Sequence, residues 1–113
     1  MVQDWPKMAG DLSLALREVR AGAPDTMKAF SALEPKEFDV KTKELLALGI
    51  AVAIHCEACI PFHAGAAARQ GATRGEIMET MGMAIYMGAG PSVMYAAQAV
   101  EAFDQFAAKA AAE

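Results

Sequence analysis

Residues 39–63 read DVKTKELLALGIAVAIHCEACIPFH, and the fold follows from how this stretch divides. Asp39 is a candidate N-cap, because a short carboxylate can accept from the free N–H groups of a first helical turn, and a helix is expected from Val40 to about Ile54. That helix is apolar nearly all round, so it belongs at the centre of the molecule. Pro61 suits the first turn of another helix, where a missing N–H costs nothing, and Gly71 suits its stop beyond Arg69-Gln70. Four reactive groups, Glu44, Cys56, Cys59 and His63, fall within these two helices and the join between them.

Outward from this centre the chain reads as further helix. Leu12, Leu16 and Val19 are at helical spacing in Asp11 to Arg20, ended by Gly22-Ala23-Pro24. A short helix opens at Pro24 or Asp25, runs through Met27, Phe30 and Leu33, and closes at Glu34-Pro35, since a residue before proline resists the α conformation. Thr73-x-x-Glu76 is a capping-box pattern for a helix from Arg74 to about Met87. Gly88-Ala89-Gly90-Pro91 is a break, and a last helix from Ser92 to about Ala111 carries Val93, Ala96, Ala97, Val100, Phe103 and Ala107 on one stripe, with Glu101, Asp104 and Lys109 toward water. The expectation is an all-α, single-domain bundle of about six helices over residues 1–113.

Composition agrees. Hydrophobic residues make up 55% of 113 residues and 26 are Ala, while strand-favouring β-branched residues are sparse. So small a domain cannot hide that much apolar surface within itself, which predicts a homo-oligomer. A net charge of −4 with scattered Lys and Arg argues against nucleic acid as a partner. Neither a secretory leader nor an apolar run of membrane-spanning length is present, so a soluble, cytoplasmic protein is expected, with no membrane partner. Two cysteines this close are no disulfide framework for a secreted domain; they suit redox or metal chemistry in a reducing compartment.

The four reactive groups can work together. Cys59 and His63, four apart on a helix, share a face, so the imidazole can reach the thiol directly or through a water. Cys56 and Cys59, three apart at a helix start, can close a disulfide. The partial positive charge of that helix start favours a thiolate, so at least one thiol should ionise below the free value of about 8.5. A thiolate can attack the terminal oxygen of a hydroperoxide or one sulfur of a disulfide, and the second cysteine can resolve the product. Glu44 sits in an apolar helix, where a carboxylate is costly unless it has a partner or keeps its proton. Twelve residues of unbroken helix hold it about 18 Å from Cys56, and in a strictly antiparallel return it meets His63 only across a residual gap, by way of a water. A shorter central helix or a Glu44 donated by a neighbouring subunit are the other routes.

The order Glu44, eleven residues, Cys56-x-x-Cys59, three residues, His63, then a small-residue helix and a Gly-rich break, resembles the alkylhydroperoxidase D (AhpD-like) branch of the carboxymuconolactone decarboxylase superfamily. The resemblance covers roughly Asp39 to Phe106. It implies Cys59 as the peroxide-reactive thiol, Cys56 as its disulfide partner, and Glu44 with His63 as a proton relay. It also implies an all-helical subunit in trimers or hexamers, reduced by a dithiol such as a lipoyl or thioredoxin-like partner. Some members carry an additional His or an aromatic residue before the second cysteine, where this chain has Ala58, and His55 precedes the first cysteine instead. The decarboxylases proper resemble it in fold but lack the cysteine pair.

Other readings remain open on the sequence. Cys56, Cys59 and His63 with Glu44 or His55 would also supply ligands for one zinc in a non-catalytic metal-binding or assembly module, although no second knuckle accompanies them and the catalytic reading needs no metal and no cofactor. The cysteines can be ordinary buried small hydrophobes, and His55 can serve the dipole of the helix it ends. Glu57, Glu76 and Glu79 read as surface charge, the methionines of Met78 to Met87 as core or subunit packing, and Trp5 as an anchor for the N-terminal arm.

Overall fold

The structure, a computed structural model, describes residues 1–113. Five helices follow one another with no strand: α1 (Trp5–Gly22), α2 (Pro24–Ser31), α3 (Val40–Ala53), α4 (Cys59–Arg69) and α5 (Arg74–Ala112). The all-α expectation holds. Within α5 the backbone leaves the helix at Ala89, beside Pro91, so the break expected at Gly88-Ala89-Gly90-Pro91 is present as a kink where two helical stretches meet.

The helix starts are set by the caps seen in the sequence. Asp39 Oδ1 accepts from the Thr42 N–H at 2.7 Å, and Thr73 with Glu76 forms a reciprocal capping box at the head of α5. Lys41 reaches Glu76 at 3.0 Å and ties these two helix starts together. Hydrogen bonds to the exposed carboxylates hold both below their usual range: the Thr42 backbone N–H does so for Asp39, and for Glu76 the Thr73 backbone N–H followed by Lys41. α1 begins six residues earlier than expected, at Trp5 rather than Asp11, because Asp4 is a cap that the periodicity argument overlooked; its Oδ1 accepts from Lys7 N at 3.1 Å, and Pro6 occupies the first turn.

α3, α4 and α5 pack on one another, α1 lies against α4 and α5, and α2 touches only α1. The core comprises Leu48 and Val52 of α3, Ile60, Ala64 and Ala67 of α4, and Ile77, Met81, Ala84, Ala96, Ala99, Ala102 and Phe103 of α5. Alanines at these contacts let the helix backbones approach closely. The stripe expected on the last helix is therefore rotated: Ala99 and Ala102 are buried while Val93 and Ala97 are exposed. Trp5 is 1% exposed and closes one end of the core. Its backbone N–H donates to Gln105 Oε1 at 2.8 Å and its indole N–H to Glu101 Oε2 at 3.3 Å. Glu101, expected in water, is thus a partner for the N-terminal arm.

α3 is central on one side only. Leu48, Ala51 and Val52 are buried, but Leu46, Ile50 and Ile54 stand in solvent, Ile50 at 57% exposure. Of the methionines in α5's first half only Met81 enters the core; Met78, Met83 and Met87 are exposed.

Candidate active site

α3 ends in a way that its sequence does not announce. Ile54 is the last cap residue, and His55 takes a left-handed backbone with φ 64°. The N–H of Cys56 then bonds back to the Ala51 carbonyl at 2.8 Å, and that of His55 to Val52 at 3.2 Å. These are the two hydrogen bonds of a Schellman stop, a motif that usually places glycine where this chain has histidine. The same device ends α4 at Gly71, with φ 78° and a bond from Ala72 N to the Ala67 carbonyl at 3.0 Å. There glycine was the legible signal; at His55 none was present.

The stop delivers Cys56 directly to the next helix. Cys59 is the first residue of α4, its N–H donating to the Cys56 carbonyl at 3.2 Å, and the two cysteines are joined as a disulfide with their Cα atoms 5.3 Å apart. Both are half-buried. Cys59 therefore stands at the positive end of the α4 dipole, while Cys56 lies outside the helix with its own N–H consumed by the α3 stop. Pro61 is in the first turn of α4, as expected.

His63 lies one turn beyond Cys59, and its Nδ1 is 2.7 Å from Glu44 Oε2. This corrects the expectation of a gap bridged by water: Glu44 and His63 touch directly, within one chain. A rise-per-residue estimate along straight antiparallel axes leaves out side-chain reach and any slant between helices, and these are what close the distance. The Glu44 side chain is 20% exposed and that of His63 36%. The contact orients the ring through Nδ1 and leaves Nε2 for another partner.

A cleft of about 410 Å³ opens on the pair, lined by Phe38, Leu46, Ala47 and Ile50 as well as Glu44 and His63. Its outer wall is the loop from Glu34 to Phe38. Lys43, unnoticed in the sequence, pins that loop by donating to Glu34 Oε1 at 3.1 Å and to the Pro35 carbonyl at 3.0 Å. Lys43 beside Glu34 holds this exposed carboxyl below its usual value. His55 is stacked on Tyr95, with ring centroids 4.8 Å apart and planes 7° from parallel. No three His, Cys, Asp or Glu side chains converge on a point that would hold a metal ion.

Fold and site together define a small all-helical protein with a Cys-x-x-Cys disulfide at a helix start and a carboxylate–imidazole couple one turn away. The chain belongs to the carboxymuconolactone decarboxylase family, whose model matches residues 21–102. The order of Glu44, Cys56, Cys59 and His63 is consistent with its AhpD-like branch. In structure it is similar to the apo form of a carboxymuconolactone decarboxylase family protein from Legionella pneumophila, at a TM-score of 0.85 and 44% identity over 91% of this chain and 96% of that one. In sequence it is 36% identical over 109 residues to an uncharacterized protein of Cupriavidus necator, covering 86% of this chain and 96% of the relative. It is also 35% identical to uncharacterized protein 4 in the cox locus of Paracoccus denitrificans, over 82% and 88% of the two chains.

Proposed function

We propose that this protein is a thiol-dependent peroxidase or disulfide oxidoreductase in which Cys59 attacks, Cys56 resolves, and His63 with Glu44 moves protons. The observation that carries this reading is the 2.7 Å contact between Glu44 Oε2 and His63 Nδ1, one helical turn from a cysteine that pairs with its neighbour. A carboxylate that orients an imidazole through Nδ1 leaves Nε2 to take or give a proton at the reacting sulfur.

The cycle starts from the dithiol. The Cys59 thiolate attacks the terminal oxygen of a hydroperoxide, the O–O bond breaks, and the departing alkoxide takes a proton from His63; alcohol leaves and Cys59 becomes a sulfenic acid. The Cys56 thiol attacks that sulfur and expels hydroxide, which leaves as water with the thiol's proton. The products are water and the Cys56–Cys59 disulfide. An external dithiol, of lipoyl or thioredoxin type, returns two electrons and two protons by exchange and leaves as its own disulfide. With a disulfide substrate the Cys59 thiolate attacks one sulfur and expels the other as a thiolate that takes a proton from His63. Cys56 then attacks Cys59 in the mixed disulfide and releases the second thiol, so two thiols leave in place of alcohol and water, and the same Cys56–Cys59 disulfide awaits the external dithiol.

A cycle that must be re-reduced at each turn fits the cytoplasm, and no helix is long and apolar enough to cross a membrane. The exposed Ile50, Ile54, Met87 and Tyr86 support assembly into a homo-oligomer, a trimer or a hexamer. Peroxide added to the reduced protein is expected to form the Cys56–Cys59 disulfide rapidly, read by loss of free thiol and peptide mapping, and Cys59→Ser is expected to abolish it. Thiols that stay unreactive toward peroxide and toward small disulfides, in protein purified with stoichiometric zinc, would instead mark a metal-binding module.

A further inference from the structure

His55 and Tyr95 have no part in the cycle above, yet they occupy the one place where the chain's direction at Cys56 is decided. A left-handed backbone is costly for any residue with a Cβ, because the Cβ crowds the following carbonyl. His55 nonetheless adopts φ 64°, and the Schellman bonds from His55 and Cys56 exist only in that conformation. What balances the cost is on the other side of the ring. Tyr95 lies parallel to the imidazole at 4.8 Å.

Tyr95 is brought there by the kink in α5. Gly88 lies against the end of α3, where a Cβ on it would be in ordinary contact with the Ala53 Cα at 3.4 Å, and it sits so near Ser92 in α5 that the Cβ would overlap that hydroxyl. The backbone then turns out of the helix at Ala89, with φ 60° and ψ −154°, passes Pro91, and resumes the helix that carries Tyr95. The end of α3 thus meets α5 on both sides of the kink, at the Gly88 backbone before it and at the His55–Tyr95 stack after it.

We infer that His55 and Tyr95 are a positioning pair: their stack holds residue 55 left-handed, and so keeps Cys56 within disulfide reach of Cys59. The pair governs disulfide closure, kinetically and at equilibrium, whereas the first attack by Cys59 is left to His63 and Glu44. The inference rests on the thiol cycle for its biological sense, but the thiol–disulfide equilibrium tests it without any peroxide.

The variants are Tyr95→Leu, which keeps apolar bulk and removes the ring; Tyr95→Phe, which keeps the ring; His55→Val, whose branched Cβ opposes the left-handed backbone; and His55→Gly, which adopts it freely. Each protein is equilibrated in defined thiol–disulfide buffers, and the dithiol fraction is read by alkylation and mass spectrometry. Tyr95→Leu and His55→Val are expected to shift the equilibrium toward dithiol by roughly three- to tenfold, the range of one aromatic stack, which is about 15 to 30 mV for a two-electron couple. Tyr95→Phe, which retains the stack, and His55→Gly, which adopts the left-handed backbone without one, are expected to stay within about twofold of wild type. Tyr95→Leu at the wild-type potential, or His55→Gly displaced as far as His55→Val, overturns the pair. If the potentials move as expected while wild-type thiols ignore both peroxide and disulfide substrates, the cycle falls and the positioning pair stands.

Discussion

In the proposed cycle His63 is the residue on which proton transfer turns, because its ring meets the carboxylate of α3 from a position one turn beyond Cys59 on α4. Replacing it with alanine is expected to slow oxidation of the reduced pair by hydroperoxide about a hundredfold, the low end of what positioned acid–base groups supply, and to flatten the rate's dependence on pH near neutrality. Stopped-flow comparison with wild type reads both, and equal rates across neutral pH would remove the relay. Glu44→Gln keeps a hydrogen-bonding side chain without the charge and is expected to cost less, on the order of tenfold. That the four candidate residues would lie near one another was legible from spacing alone, since Glu44, Cys56, Cys59 and His63 are close in sequence and two helices can be drawn through them. The direct Glu44–His63 contact was not, because it depends on how two helices cross. His55 shows the deeper limit: a stop that usually announces itself by glycine is made here by a side chain whose support, Tyr95, lies forty residues away.

At the scale of elements, local capping chemistry explains most of what could be read. Asp39 and the Thr73–Glu76 box begin α3 and α5 where the sequence placed them, and these interactions involve only near neighbours. Thr73→Ala is expected to lower stability by about 1 kcal/mol, measured by urea unfolding, as loss of an N-cap does. Asp39 and Glu76 have lowered folded-state values, so their contribution is fully present above their ordinary values of 3.8 and 4.5 and is lost as pH falls through the lower folded ones. An acid titration followed by far-UV circular dichroism should show this loss, and Glu76→Gln should reduce the pH-dependent part while leaving the neutral-pH helix content unchanged. The start of α1 was missed because Asp4 precedes a stretch with little apolar periodicity. The rotated face of α5 was missed because alanine stripes carry weak periodicity, and a residue's burial there depends on the partner helix.

For the whole molecule, the unusual quantity is the apolar surface left outside. α2 rests on α1 alone, and Leu46, Ile50, Met83 and Met87 line an open groove between α3 and α5. Ile50→Glu is expected to lower the oligomeric state by light scattering, whereas an unchanged mass would show that this groove is no subunit contact. Trp5→Ala is expected to destabilise the fold by about 3 kcal/mol in urea, because a large ring that closes the core is lost along with its indole N–H bond to Glu101. Composition had indicated the surplus of apolar surface, but which faces carry it depends on packing. The central claim is that one cysteine is oxidised first and the other captures its product. It is tested most directly by exposing reduced Cys56→Ser to one equivalent of an alkyl hydroperoxide in the presence of dimedone and mapping the adduct. The account predicts alcohol release and a stable adduct on Cys59; alcohol release without that adduct, or no consumption of peroxide by a folded protein, would contradict it.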